Sequence, residues 1–136
     1  MKMVFCFSGK THQGAIKELV DEYARRIQKY APVEIIESKE LHVQSRDGRH
    51  IVLVPDGSTL SSEGLAKLID RHQISGTKHL FFYVGGPEGL PRNILENADM
   101  SLSLSSMVFN HQVIRIMLLE QIYRAFTIIR GEPYHK

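Results

Sequence analysis

Leu80-Phe81-Phe82-Tyr83-Val84 runs without a polar interruption into the turn Gly85-Gly86-Pro87-Glu88-Gly89. An aliphatic and aromatic run stopped by glycines reads as a strand buried on both faces, the kind found in parallel sheets covered by helices. Working outward, Ile51-Val52-Leu53-Val54 is a second such run, ended by the turn signal Pro55-Asp56-Gly57. Val4 to Phe7, Val33 to Ile36 and Met100 to Leu104 are further strands, the last alternating with serines. Between them lie helical patterns. From Gly14 to Tyr30 the apolar positions Ile16, Leu19, Val20, Tyr23, Ala24 and Ile27 recur in steps of three and four, the stripe of an amphipathic helix. Ser61 or Ser62 caps a second helix with Leu65, Leu68 and Ile69 on one face, closing before Gly76. A short helix covers Arg92 to Asn97, and the polar stretch Ser38 to His50 reads as a connection with room for a short strand at Leu41 to Val43. Strands alternating with helices predict an α/β fold with a parallel sheet, in one domain over residues 1–136.

The last element is less ordinary. From His111 to Ile129 apolar residues fall nearly all round a helical wheel, so the helix needs burial on more than one side. A partner subunit is the expected source of the second side. Composition sets the outer limits. At 136 residues, 43% hydrophobic and 24% charged, with net charge +2 and a single cysteine, Cys6, the chain has no disulfide framework and no multi-cysteine zinc site. No apolar run is long enough to span a bilayer, and a reducing cytoplasmic location is expected.

Several residues could carry chemistry. Glycines at a strand's carboxyl end let backbone amides approach a ligand, and α/β sheets bind ligands at that edge. Gly-Gly-Pro-Glu-Gly is neither the dinucleotide fingerprint nor a P-loop, and serves equally well as a structural turn. The seven histidines show no metal-ligand spacing. His111 stands out, at the start of the last helix beside the polar loop Ser103 to Asn110. No nucleophile elbow surrounds Ser103, Ser105 or Ser106. Lys10, Lys17, Arg25, Arg26 and Lys29 form one loose basic group, and Arg115, Arg124, Arg130, His135 and Lys136 another. Either could meet phosphates or simply face solvent. Arg115 interrupts a very apolar stretch, so if buried it needs a partner or a ligand.

Gly85 to Leu90, Leu102-Ser103-Leu104-Ser105-Ser106-Met107, His111-Gln112-Val113-Ile114-Arg115, Leu119 to Ala125 and the ending Ile129 to Lys136 together resemble the C-terminal half of the ribosomal large subunit methyltransferase H family of the SPOUT superfamily. The resemblance is dense over residues 80–136 and looser before it. It implies a Rossmann-like parallel sheet with a C-terminal deep trefoil knot, a homodimer, and S-adenosylmethionine (S-adenosyl-L-methionine) as cofactor. It implies methylation of N3 of a pseudouridine in 23S rRNA of the assembled ribosome. It places Val54, Gly85, Leu104, Ser105, Ser106, Met107, Val108 and Phe109 at the cofactor, and His111, Arg115, Tyr134 and His135 near the substrate as catalytic candidates. On chemical grounds Arg115 or His111 is expected to stabilise the imide anion while the tail Tyr134-His135-Lys136 closes over the base. No metal and no membrane partner are expected. The chain differs from the family pattern at Pro55, at Asn110, where a proline is usual, and in the shortness of Ser38 to His50, where a helix is usual. Two other readings stay open: a ribosome-binding or assembly protein without turnover, and a SPOUT methyltransferase acting on tRNA.

Overall fold

In a computed structural model, which describes residues 1–135, β1 (Lys2–Ser8) is flanked by β2 (Val33–Ser38) and β4 (His79–Val84), and β3 (Arg49–Thr59) and β5 (Met100–Ser103) follow beyond β4. The order is β2-β1-β4-β3-β5 and every pairing is parallel, as the buried aliphatic runs predict. Parallel neighbours need crossovers, supplied by α1 (Ala15–Ile27), α2 (Ser62–Ile74) and α3 (Arg92–Glu96), before α4 (His111–Ile129) completes the chain. The Ser61 hydroxyl caps α2 by accepting from the Gly64 amide at 3.0 Å.

The sheet's two faces are covered unequally. Met3, Phe5, Phe7, Ile51, Leu80, Phe82 and Leu102 form one core with residues of α1, α2 and α4. Val4, Cys6, Val52, Phe81 and Tyr83 point the other way and meet only Leu41, Ile94 and a few half-buried neighbours. The stretch after β2 forms no strand, but Leu41 is buried and Arg46 lies over the Phe81 ring at 5.6 Å. An irregular connection thus does a helix's covering work.

One expectation needs correction, and another gains a source beside the expected partner. Pro55-Asp56-Gly57 does not end β3, which runs on to Thr59. The pairing with β5 slips between Leu53 and Ser58, so a bulge absorbs the proline, and Ser58 and Thr59 rejoin Leu102 and Ser103. Gly57 allows the approach, because a Cβ there would stand 2.8 Å from the Leu102 backbone. The all-round apolarity of α4 also has a source within the chain: α4 packs against both α1 and α2 and backs onto the sheet, burying Leu118, Leu119, Ile122, Ala125 and Phe126. No described helix is long and apolar enough to cross a membrane.

Candidate functional site

A cavity of about 380 Å³ opens at the β3 bulge and the carboxyl ends of β4 and β5, the edge at which parallel α/β sheets receive ligands. Leu53 and Val54 come from β3, Val84 and Gly85 from β4, and Leu102, Ser103 and Leu104 from β5 and its exit. Ser105 and Met107 to Asn110 form the rim, and His111 and Ile114 of α4 close one side. Seven of the eight positions that the sequence assigns to the cofactor therefore meet at one cavity, while exposed Ser106 is outside its lining.

The glycine turn is built for tightness. A Cβ on Gly85 would stand 2.7 Å from the Gly89 carbonyl carbon, and the Gly89 amide donates to the Gly86 carbonyl at 3.0 Å. Gly89 has φ +81°, where a side chain is strained. The serines hold the facing loop: the Ser103 hydroxyl donates to the Ser105 carbonyl at 2.7 Å, and the Ser105 hydroxyl accepts from the Met107 amide at 3.0 Å. Their hydroxyls thus serve the backbone. Among the described residues the amides of Val108, Phe109 and Asn110 donate to no protein group. Met107 and Val108 are 71% and 81% exposed, an apolar rim with unspent donors.

His111 begins α4, where Asn110 caps the helix by accepting from the Gln112 amide at 2.8 Å. The side-chain cap does here what a proline could do only by fixing φ. Burial, then the nearby Arg115 charge and His12, hold His111 below the usual histidine range, so the ring is neutral at neutral pH and can accept a proton.

The other three catalytic candidates are elsewhere. Arg115 is fully buried, outside the cavity lining. It donates to the Ser8 carbonyl at 2.7 Å and the Thr11 hydroxyl at 3.0 Å, lies over the Phe7 ring, and approaches Glu37 at 3.8 Å. Tyr134 donates to Glu120 at 2.9 Å, and His135 meets Glu63 at 2.6 Å and Arg124 at 3.0 Å. Glu120 is nine residues along α4 from His111, about 13 Å at the helical rise. Within one chain the tail therefore lies away from the cavity, and Lys136 lies outside the described residues.

Thr11, Glu37 and Gln112 were not among the sequence candidates. Glu37 accepts from both the Thr11 amide and its hydroxyl, and the buried Gln112 side chain bridges the Lys10 carbonyl and the His12 amide. The available signal is Gln112 and Arg115, the two polar residues in the otherwise apolar stretch Gln112 to Leu119. Among the described residues no cluster of His, Cys, Asp or Glu could hold a metal ion.

A parallel α/β fold with a glycine turn and a serine loop around a carboxyl-edge cavity defines a scaffold that binds a ligand at the edge of its sheet. A family model described as "Predicted SPOUT methyltransferase" matches residues 1–135, and the chain belongs to that family. The chain is 40% identical to a "Ribosomal RNA large subunit methyltransferase H" of Coprothermobacter proteolyticus over 139 positions, covering all of both chains. It is 38% identical to a protein of the same name from Acetivibrio thermocellus over 159 positions, again all of both. The first alignment leaves no room for a long insertion and the second does, so a short chain has company among its relatives. A solved "probable methylase family protein" from Haemophilus influenzae shares the fold at TM-score 0.60 and 9% identity, over 99% of this chain and 70% of that one.

Proposed function

We propose that this chain is an S-adenosylmethionine-dependent methyltransferase of large-subunit ribosomal RNA. The observation that carries the reading is the end-to-end relationship to proteins of that name, joined to a cavity that suits the cofactor. Aliphatic walls from Leu53, Val54, Leu102, Leu104 and Ile114 can sandwich an adenine ring, and the unspent amides of Val108 to Asn110 can pair with its edge. When bound, S-adenosylmethionine supplies an electrophilic methyl group.

We assign the target as N3 of a pseudouridine in 23S rRNA of the assembled ribosome. An N3–H imide is weakly acidic, so transfer needs in-line placement and modest base assistance. His111, neutral and on the cavity wall, would accept the N3 proton, the methyl group coming from bound S-adenosylmethionine with cleavage of its methyl–sulfur bond. Arg115 acts from behind it, through charge and anchoring. The chain works as a homodimer: Met107, Val108, Phe109 and Val113 are exposed, and a groove of about 550 Å³ lies over Leu19, Leu60, Ile116 and Met117. Tyr134 and His135 complete the partner's cavity. We further assign a trefoil knot to residues 100–129, since β5 lies at the sheet's edge while α4 returns to its middle between α1 and α2.

Mass spectrometry of rRNA from cells lacking the gene tests the reading. One methyl group should be missing from one 23S pseudouridine and restored by the purified protein with S-adenosylmethionine, which should sediment at twice the chain mass. Unchanged 23S rRNA with a missing tRNA methyl group would overturn the substrate assignment.

A further inference from the structure

The loop from Gly9 to Gly14, between β1 and α1, is turned to solvent on one side and held by buried polar groups on the other. Lys10, His12 and Gln13 are exposed. Beneath them Gln112, 3% exposed, donates from Nε2 to the Lys10 carbonyl at 3.0 Å and accepts at Oε1 from the His12 amide at 2.9 Å. Arg115, fully buried, holds Ser8 and Thr11, and Glu37 receives the Thr11 amide at 2.9 Å. Burying an amide and a guanidinium is costly unless each is satisfied. Here the bonds made by the Gln112 amide and by the two terminal Arg115 nitrogens go largely into fixing a short surface loop, while Arg115 Nε stays buried without a partner among the described residues. An exposed loop so fixed is pre-organised, which lowers the ordering cost of binding something.

The same clamp sets what the loop stands beside. Gln112 follows His111 on α4, and the His12 ring lies 6.2 Å from the His111 ring, so the loop stands beside the His111 wall of the cavity without lining it. Its charge is of one sign where it faces out. Lys10 has no carboxylate partner among the described residues, whereas Lys2, Lys17, Arg46 and Arg124 each have one. Glu37, exposed on its outer side, gives its carboxylate to Thr11 and Arg115. Exposed Lys39, next to exposed Glu40, is carried to the same edge, since the Ser38 carbonyl beside it accepts from the Gly9 amide at 2.8 Å.

We propose that Gly9 to Gly14 is the RNA-binding arm of the cavity: Lys10 and His12 take phosphates of the strand whose target base enters beside His111, and Gln112 with Arg115 are positioning residues that hold the arm in place. This rests on the rRNA methyltransferase reading above. Phosphate contacts orient a strand without reading its sequence, and a base can be presented to a cavity only if the backbone on either side is held.

The test compares wild type with the Lys10→Gln/His12→Gln double variant, in which both changes are on the surface. Binding is measured to 70S ribosomes and to protein-free 23S rRNA at several salt concentrations, S-adenosylmethionine binding by calorimetry, and methyl transfer at saturating RNA. The variant should bind RNA about tenfold more weakly, with a salt slope shallower by about one to two. Its cofactor affinity should be unchanged and its turnover at saturating RNA within about twofold of wild type. Gln112→Ala should reproduce the weaker RNA binding with cofactor binding intact. RNA affinity and salt slope unaltered in the double variant, or a loss confined to turnover, would overturn the arm. If Gln112→Ala lowers only thermal stability, the positioning role is overturned. A wild-type protein that neither binds nor methylates rRNA would overturn the rRNA reading itself, and the arm with it.

Discussion

His111 and Arg115 are one helical turn apart on α4, and their surroundings give them opposite tasks. Arg115 is fully buried and turns its terminal nitrogens to Ser8 and Thr11, with Nε left unpaired among the described residues, so it reaches no substrate in this arrangement. His111 lines the cavity, and burial together with the Arg115 charge keeps its ring neutral below the usual value of 6.5. A depressed histidine pKa means that the base form is already present in mildly acidic solution. Methyl transfer should therefore rise with pH through a midpoint below 6.5 and be level above it. His111→Ala should lower turnover by about 10²-fold or more and leave a residual rate that climbs with pH across the neutral range, as base assistance passes to solvent. The pH–rate profiles of the two proteins check this. An identical profile in the variant would remove His111 from the proton transfer.

Helix α4 is the element on which both the core and the site depend. Its hydrophobic girth is met by α1, α2 and the sheet, so the central residues should behave as core residues of an isolated subunit. Ile122 is fully buried, and Ile122→Ala should cost about 2–5 kcal/mol. Val113, 37% exposed, should cost under about 0.5 kcal/mol when changed to alanine. Urea unfolding at concentrations too low for dimerisation distinguishes the two. The bounds of α4, His111 to Ile129, are legible in sequence because Asn110 suits a cap at one end and Gly131 and Pro133 stop the helix at the other. The end of β3 is not, because Pro55-Asp56-Gly57 is a turn signal locally and only pairing with β5, far along the chain, turns it into a bulge. The cavity follows the same rule. The glycine turn and the serine loop are contiguous motifs and can be read in sequence, whereas the clamp joins Thr11 and Glu37 to Gln112 and Arg115 across up to 104 residues. Spacing along the chain holds no trace of such contacts beyond Gln112 and Arg115 in the otherwise apolar stretch Gln112 to Leu119.

At the scale of the whole molecule the unequal covering of the sheet decides where acid should act. Three helices seal one face. The other is closed by the connection from β2 to β3 and by α3, and one ion cluster ties that connection down. Arg46 donates to Glu34 through two nitrogens at 2.8 and 3.1 Å, Lys2 adds a third contact at 2.9 Å, and Arg46 stacks on Phe81. The Arg46 and Lys2 hydrogen bonds push the Glu34 carboxyl down from 4.5 to about 2. A carboxyl whose folded pKa is depressed contributes stability that is fully present above its unfolded value and is lost as pH falls through the folded one. The window is therefore pH 4.5 down to about 2. Since Glu34 is partly exposed, its contribution at neutral pH should be about 1 kcal/mol. Glu34→Gln keeps the shape but not the charge, so it should be less stable than wild type at pH 7. The gap should close steadily below pH 4.5 and vanish near pH 2 as wild-type Glu34 itself becomes neutral. Thermal unfolding of both proteins across this range measures the gap directly, and amide exchange of residues 41–48 should accelerate in wild type over the same interval. A gap of constant size down to pH 2 would mean that the cluster does not fasten the cover, leaving Leu41 and the Phe81 stack to hold that face of the sheet alone.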